Sequence, residues 1–212
     1  MPNLTSLTLF ATTALVLLLI PGPVVLYTLA RSINQGRRAG LISVVAVGVG
    51  DFCHVLMATA GLSAILLTSA TAFNLVKYAG AAYLIYLGIR TLRTRDKAAN
   101  VEHIVAASLS RIFSQGLIVS VLNPKTALFF LAFLPQFVDY SQGNAIIQIL
   151  TLGTLFVLMG MATNSVYALA SATASSWIKG NRAFQRGQKY FAGGAYIVLG
   201  VATAVSGSNK AT

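Results

Sequence analysis

Asp51 and Lys125 are charged residues set deep inside long apolar stretches of the chain. Asp51 lies 13 residues past Arg38, which is roughly 20 Å along a helix rising about 1.5 Å per residue. Lys125 has a similar depth in its own stretch. A charge that deep in a bilayer costs at least about 2.5–3.5 kcal/mol and normally faces a partner or a cavity. The two residues are therefore expected to share a central cavity. There, Asp51 could hold a substrate ammonium or a coupling proton. Lys125 could hold a substrate carboxylate, or neutralise Asp51 when the site is empty. The alternative is a purely structural ion pair. His54 follows Asp51 by three residues and shares its helix face, so it is either a proton relay or a hydrogen-bonded packing histidine. Asn164 is a further candidate for lining the cavity.

Two breaks accompany these charges, at Pro21-Gly22-Pro23 and at Asn123-Pro124-Lys125. Proline lacks an amide hydrogen and clashes with the preceding turn, so each site should interrupt its helix. By the same rise, Pro21 lies roughly 15 Å from Arg31, and Asn123 roughly 18 Å from Arg111. Both breaks fall near the centre of a hydrocarbon core about 30 Å thick. The two helices run in opposite senses, so two half-helix N-termini are expected to meet there. Their free amides and dipoles would favour an anion such as a carboxylate. Taken together, the candidate translocation residues are Pro21, Gly22, Pro23, Asp51, Asn123, Pro124 and Lys125.

The elements that must position them follow from composition. Of the 212 residues 56% are hydrophobic and 9% charged, against about 25% charged in a soluble domain. Apolar runs long enough to span occur at about 4–30, 40–68, 72–90, 112–136, 145–171 and 190–207, the last being the shortest. The fold expected is an all-α integral membrane protein of about six transmembrane helices. The whole chain, 1–212, reads as a single transporter domain. The net charge of +11 comes in short clusters between the runs, without the continuous basic stripe that nucleic acid requires. Arg31, Arg37, Arg38, Arg90, Arg93, Arg95, Lys97, Arg111, Lys179, Arg182, Arg186 and Lys189 all fall on one side. The positive-inside bias makes that side cytoplasmic. The side of the C-terminus depends on whether the last run fully spans. Cys53 is the only cysteine, so there is no disulfide framework.

Ala79-Gly80-Ala81-Ala82-Tyr83-Leu84-Ile85 is echoed by Ala192-Gly193-Gly194-Ala195-Tyr196-Ile197-Val198. Each follows a Lys-Tyr pair. The chain is therefore expected to hold two three-helix repeats, about 4–92 and about 111–207. Three crossings per repeat force the second copy to be inverted, an architecture common in secondary transporters.

Enzyme chemistry finds no support. Gly48-Val49-Gly50-Asp51 has the GxGD form of intramembrane aspartyl proteases, but that chemistry needs a second intramembrane aspartate, and Asp96, Glu102 and Asp139 fall between the apolar runs. There is no nucleophile elbow, zinc pair or phosphate-binding loop. No catalytic residue, metal or cofactor is expected, and transport would draw on an ion gradient. An exporter of metal cations is the alternative within transport, resting on Asp51, Cys53 and His54. A non-transporting membrane scaffold is the alternative of another class.

In order, the chain carries Pro21-Gly22-Pro23, the GxGD ending at Asp51, the stretch from Gly80 to Gly88, Asn123-Pro124-Lys125 and Leu134-Pro135-Gln136-Phe137. This ordered set resembles the LysE/RhtB family of amino-acid exporters over nearly the whole chain. The resemblance implies efflux of amino acids or derivatives such as homoserine, threonine, leucine or lysine, driven by the proton-motive force. It further implies a bacterial inner membrane, with lipid as surroundings, and a homodimer.

Overall fold

The computed structural model describes residues 4–68, 70–93, 107–139 and 143–180, with a few single positions between 190 and 205. Among the described residues there is no strand. The first helix, α1 (Leu4–Leu19), is apolar apart from five hydroxyl residues and carries no charge. Thr8, Thr12 and Thr13 donate their hydroxyls to carbonyls three or four residues back, so these three need no water. Pro21 and Gly22 interrupt the chain, and α2 (Pro23–Thr68) restarts on Pro23, where a missing amide costs nothing. A second interruption lies inside α2 at Gly36, with φ 81° and ψ 179°. This conformation is open essentially to glycine alone. Nothing lies within 4 Å of a Cβ built there, so Gly36→Ala should cost only the backbone strain, about 1–3 kcal/mol. A lower thermal midpoint of the purified protein would record it.

The chain continues through α3 (Ala70–Arg93) and α4 (Leu109–Val121). Ser108 caps α4 by accepting from the Arg111 amide at 3.3 Å. After a break at Leu122 and Asn123 comes α5 (Pro124–Leu128), which loosens into a π-helical turn (Phe129–Phe133) and a tight 3-10 turn (Leu134–Phe137). The halves on either side of this break are bent by 41°. The last helix described in full is α6 (Ala145–Gly180).

Both expected breaks are present. Arg31 differs from expectation. It was assigned to the loop after the first span, but it lies within α2 and is buried, because the half-helix that begins at Pro23 turns only at Gly36. Likewise Lys179 ends α6 rather than joining a loop. Most of the run expected at 190–207 and of the second copy of the tyrosine motif lies outside the described residues, and Arg95, Lys97, Arg182, Arg186 and Lys189 lie wholly outside them.

The stretch Pro23–Gly61 of α2 and Ala145–Ser171 of α6 are each long and apolar enough to cross a bilayer. The bent pair of α4 and α5 makes a third if it counts as one span. The side chains are arranged for lipid. Leu41, Val45, Val49, Phe52 and Leu56 form a stripe on α2 that faces out and is exposed, while Ser43, Asp51 and His54 face in and are buried. Water would select the opposite arrangement. The chain is thus a membrane protein.

Helix α2 packs chiefly against α6 and α4. Small residues bring these helices together, as is usual where lipid removes the hydrophobic drive for association. A Cβ at Gly48 would sit 2.8 Å from the Met161 sulfur, and one at Gly116 would sit 2.9 Å from Ala46 Cβ. The apolar core gathers Phe10, Phe129, Phe130, Phe133 and Phe156 with the aliphatic residues of α1 and α6. Phe129 and Phe156 stack with ring centroids 4.5 Å apart.

Candidate functional site

The carbonyls at the end of α1 have no amide partner in their own helix, because the chain turns away at Pro21. Side chains from far along the sequence take their place. The Tyr167 hydroxyl on α6 donates to Leu19 O at 2.9 Å. The Lys125 ammonium donates to Ile20 O at 2.7 Å. A cation suits this position, since a helix C-terminus carries partial negative charge. The lysine of the second break therefore closes the first, and the two broken helices meet.

The second break is capped by its own residues. Asn123 Oδ1 accepts from the Lys125 amide at 3.2 Å, and its Nδ2 donates to Thr126 Oγ1 at 2.8 Å. One of the amides expected to await an anion is therefore occupied by the Asn123 side chain. Asn123 and Lys125 are buried, whereas Pro23 and Pro124, whose contribution is to the backbone, are exposed.

Asp51 is buried on α2 and accepts from the Ser120 hydroxyl of α4 at 2.7 Å. Gly50 allows this approach, because a Cβ there would fall 2.6 Å from Ser120 Cβ. The second carboxylate oxygen faces α6, where a Cβ on Gly160 would lie 3.8 Å from it. Asn164 is one turn further along α6. Its Nδ2 donates to Gly160 O at 2.9 Å, and its Oδ1 is buried with no hydrogen-bond partner. His54 Nε2 donates to Ser120 O at 3.1 Å, and the ring lies parallel to Phe130 at 6.3 Å. Ser120 thus joins Asp51 through its hydroxyl and His54 through its carbonyl.

Asp51, His54, Asn123 and Lys125, predicted as site residues, come together around the two breaks, with Asn164 one turn from the glycine that faces Asp51. The arrangement offers a carboxylate to an ammonium and an ammonium to a carboxylate, with a buried, unpaired amide oxygen one turn further along α6. Among the described residues no three His, Cys, Asp or Glu side chains gather as metal ligands would.

Two features escaped sequence reasoning. Ser120 carries no signal on its own, because its role depends on how α4 is set against α2. The other had a readable spacing. Thr28, Arg31, Ser32 and Gln35 fall at positions i, i+3, i+4 and i+7, which share one helix face. Arg31 donates to Gln35 Oε1 at 2.7 Å and to Gln115 Oε1 of α4 at 2.5 Å. Its guanidinium carbon lies 5.6 Å from the Tyr27 ring centroid. Ser32 donates to Ala168 O of α6. The stripe therefore faces both α4 and α6.

A family model described as LysE type translocator matches residues 15–207. The chain is 33% identical over 190 residues to a homoserine/homoserine lactone efflux protein of Salmonella typhimurium, covering 89% of this chain and 90% of the relative. It is 32% identical over 169 residues to a leucine efflux protein of Salmonella choleraesuis, covering 78% of each. No solved structure matches.

Proposed function

The chain belongs to the LysE type translocator family, and on that premise we propose that it is a secondary exporter of amino acids or amino-acid derivatives, moving them across the bacterial inner membrane against an inward flow of protons. As a member of that family it is a transporter and not an enzyme. The substrate class is supported by the relatives, which are named as efflux proteins for homoserine, its lactone and leucine.

The observation that carries the mechanism is the pair of buried, opposite charges at the junction of two interrupted helices. A zwitterion entering from the cytoplasm exchanges its water for these groups. Its ammonium goes to Asp51, and its carboxylate goes to Lys125. The Lys125 ammonium has three donors, so it can take that carboxylate while one donor stays on Ile20 O, and the bound substrate then bridges the two broken helices. Protonation of Asp51 from outside then releases the ammonium outward, and loss of that proton towards the cytoplasm resets the carboxylate, with His54 one turn along the same helix as the candidate to receive it. Around this centre the chain forms about six spans in two inverted repeats, with its basic segments in the cytoplasm. Two copies associate as a homodimer in the lipid.

The test is efflux from cells preloaded with single amino acids, homoserine and leucine among them. Lys125→Met should reduce export of the wild-type substrate by about 30-fold or more, in keeping with the roughly 2–5 kcal/mol lost when one partner of a buried charged pair is removed. Export at the wild-type rate by this variant would remove Lys125 from the site.

A further inference from the structure

The cytoplasmic half of the first broken span holds polar atoms that have no use in the structure as it stands. Arg31 is 5% exposed, yet it faces no carboxylate among the described residues; two neutral glutamine oxygens and the face of Tyr27 hold its guanidinium. Its Nε is buried without a hydrogen-bond partner. One turn earlier, Thr28 is fully buried and its hydroxyl is also without a partner. That is unusual in this chain. Thr12, Thr13, Ser43, Thr59, Thr151 and Thr163 each donate to the carbonyl four residues back. Thr28 does not. Both orphaned atoms belong to the stripe that faces α4 and α6.

We propose that Arg31 and Thr28 form a second binding station, which takes the carboxylate of the outbound amino acid before it reaches Asp51 and Lys125. The inference rests on the exporter reading and adds to it the group on the substrate that is recognised first. Arg31 lies ten residues beyond Pro21, so the station is roughly 15 Å from the break, towards the cytoplasm. A guanidinium presents a planar fork of donors that matches a carboxylate bidentately. A carboxylate adds a full negative charge and two oxygens that take parallel guanidinium donors, which a neutral glutamine oxygen cannot. A carboxylate therefore displaces the oxygens of Gln35 and Gln115, and the Nε and Thr28 hydroxyl supply the further donors. The displacement has a mechanical result. The bond from Arg31 to Gln115 ties the first half of α2 to α4, and Gln35 Nε2 donates to Ala107 O at 2.9 Å just before α4 begins. An arriving carboxylate loosens this tie, so the inner end of the path opens when a substrate is present to cross.

The experiment uses the full-length protein in proteoliposomes, with leucine and homoserine as probes and leucinamide, which lacks the carboxylate, as competitor. In the wild type, leucinamide should compete at least 10-fold more weakly than unlabelled leucine. Arg31→Gln should raise the KM for the amino acid about 10-fold or more with Vmax changed less, and should weaken the preference over leucinamide several-fold, leaving the part that Lys125 supplies. Arg31→Lys should recover part of both. Thr28→Val keeps the shape of the side chain and removes only an orphaned hydroxyl. It should raise KM a few-fold, and it decides the matter if Arg31→Gln is not recovered as a monodisperse protein. Unchanged KM and unchanged discrimination in Arg31→Gln, or in Thr28→Val where that variant decides, would overturn the second station while leaving Asp51 and Lys125 in place. A wild type that moves neither probe would overturn the exporter reading and the station with it.

Discussion

Replacing Asp51 by asparagine should abolish net export while leaving the protein folded. The carboxamide is nearly the same size and keeps an oxygen to accept from Ser120, whose hydroxyl lies 2.7 Å from the carboxylate. What it loses is the negative charge and the capacity to carry a proton at the centre of the membrane. The expected loss is 100-fold or more in efflux from preloaded cells, with a gel-filtration profile and thermal midpoint close to the wild type. Two further measurements sharpen the result. Counterflow, in which labelled substrate exchanges with unlabelled, needs binding but no proton movement. If Asp51 serves chiefly the proton, Asp51→Asn retains counterflow; if it serves chiefly the ammonium, counterflow is lost as well. Wild-type efflux in this variant would show that neither task falls to Asp51.

The second large effect is structural. Gly50 lies against α4, where a Cβ would fall 2.6 Å from Ser120 Cβ, 2.7 Å from its hydroxyl and 3.1 Å from the backbone oxygen of Leu117. The backbone oxygen cannot swing aside as a side chain could, so α2 and α4 must separate. Gly50→Ala should destabilise the protein by about 1–3 kcal/mol, the usual range for overpacking a tight interior, and should reduce export further by moving Ser120 away from Asp51. Combining it with Ser120→Gly removes two of the three close contacts. The double variant should recover part of the thermal midpoint but not the export rate, because the hydroxyl that holds Asp51 is gone. A Gly50→Ala protein with the wild-type midpoint would show that the two helices approach less closely than described here.

The contrast between Asp51 and Ser120 shows what can be read from a chain and what cannot. The breaks at Pro21 and Asn123 were legible because proline acts through its own covalent geometry, whatever surrounds it. Asp51 and Lys125 stood out because charge deep in an apolar run has a cost that does not depend on the fold. Ser120 is an ordinary residue for a membrane helix, and only the register of α4 against α2, set by Gly50 and Gly116, brings it to Asp51. Arg31 was misplaced for another reason. Counting basic residues by side treats each one near a span as part of a loop, whereas the helix here continues to Gly36 and draws Arg31 inside. The polar spacing from Thr28 to Gln35 is the signature of a helix face, and it extends the helix past Arg31. Pairing the two repeats requires the segment beyond α6, of which only single positions are described.

The finish of α1 has a consequence for how the protein is made. Its last carbonyl, that of Leu19, is satisfied by Tyr167, 148 residues later, and the next, that of Ile20, by Lys125, 105 residues later. Synthesis at about 5–20 residues per second means roughly 7–30 s pass before Tyr167 has left the ribosome. Throughout that interval the first hydrophobic segment has a raw end, and membrane interior is a poor place to leave one. The nascent chain must keep that end near water, or sheltered by the insertion machinery, until its distant partners arrive. Truncations that stop short of α6 should accordingly be prime substrates for membrane quality-control proteases, even when every segment they contain is native.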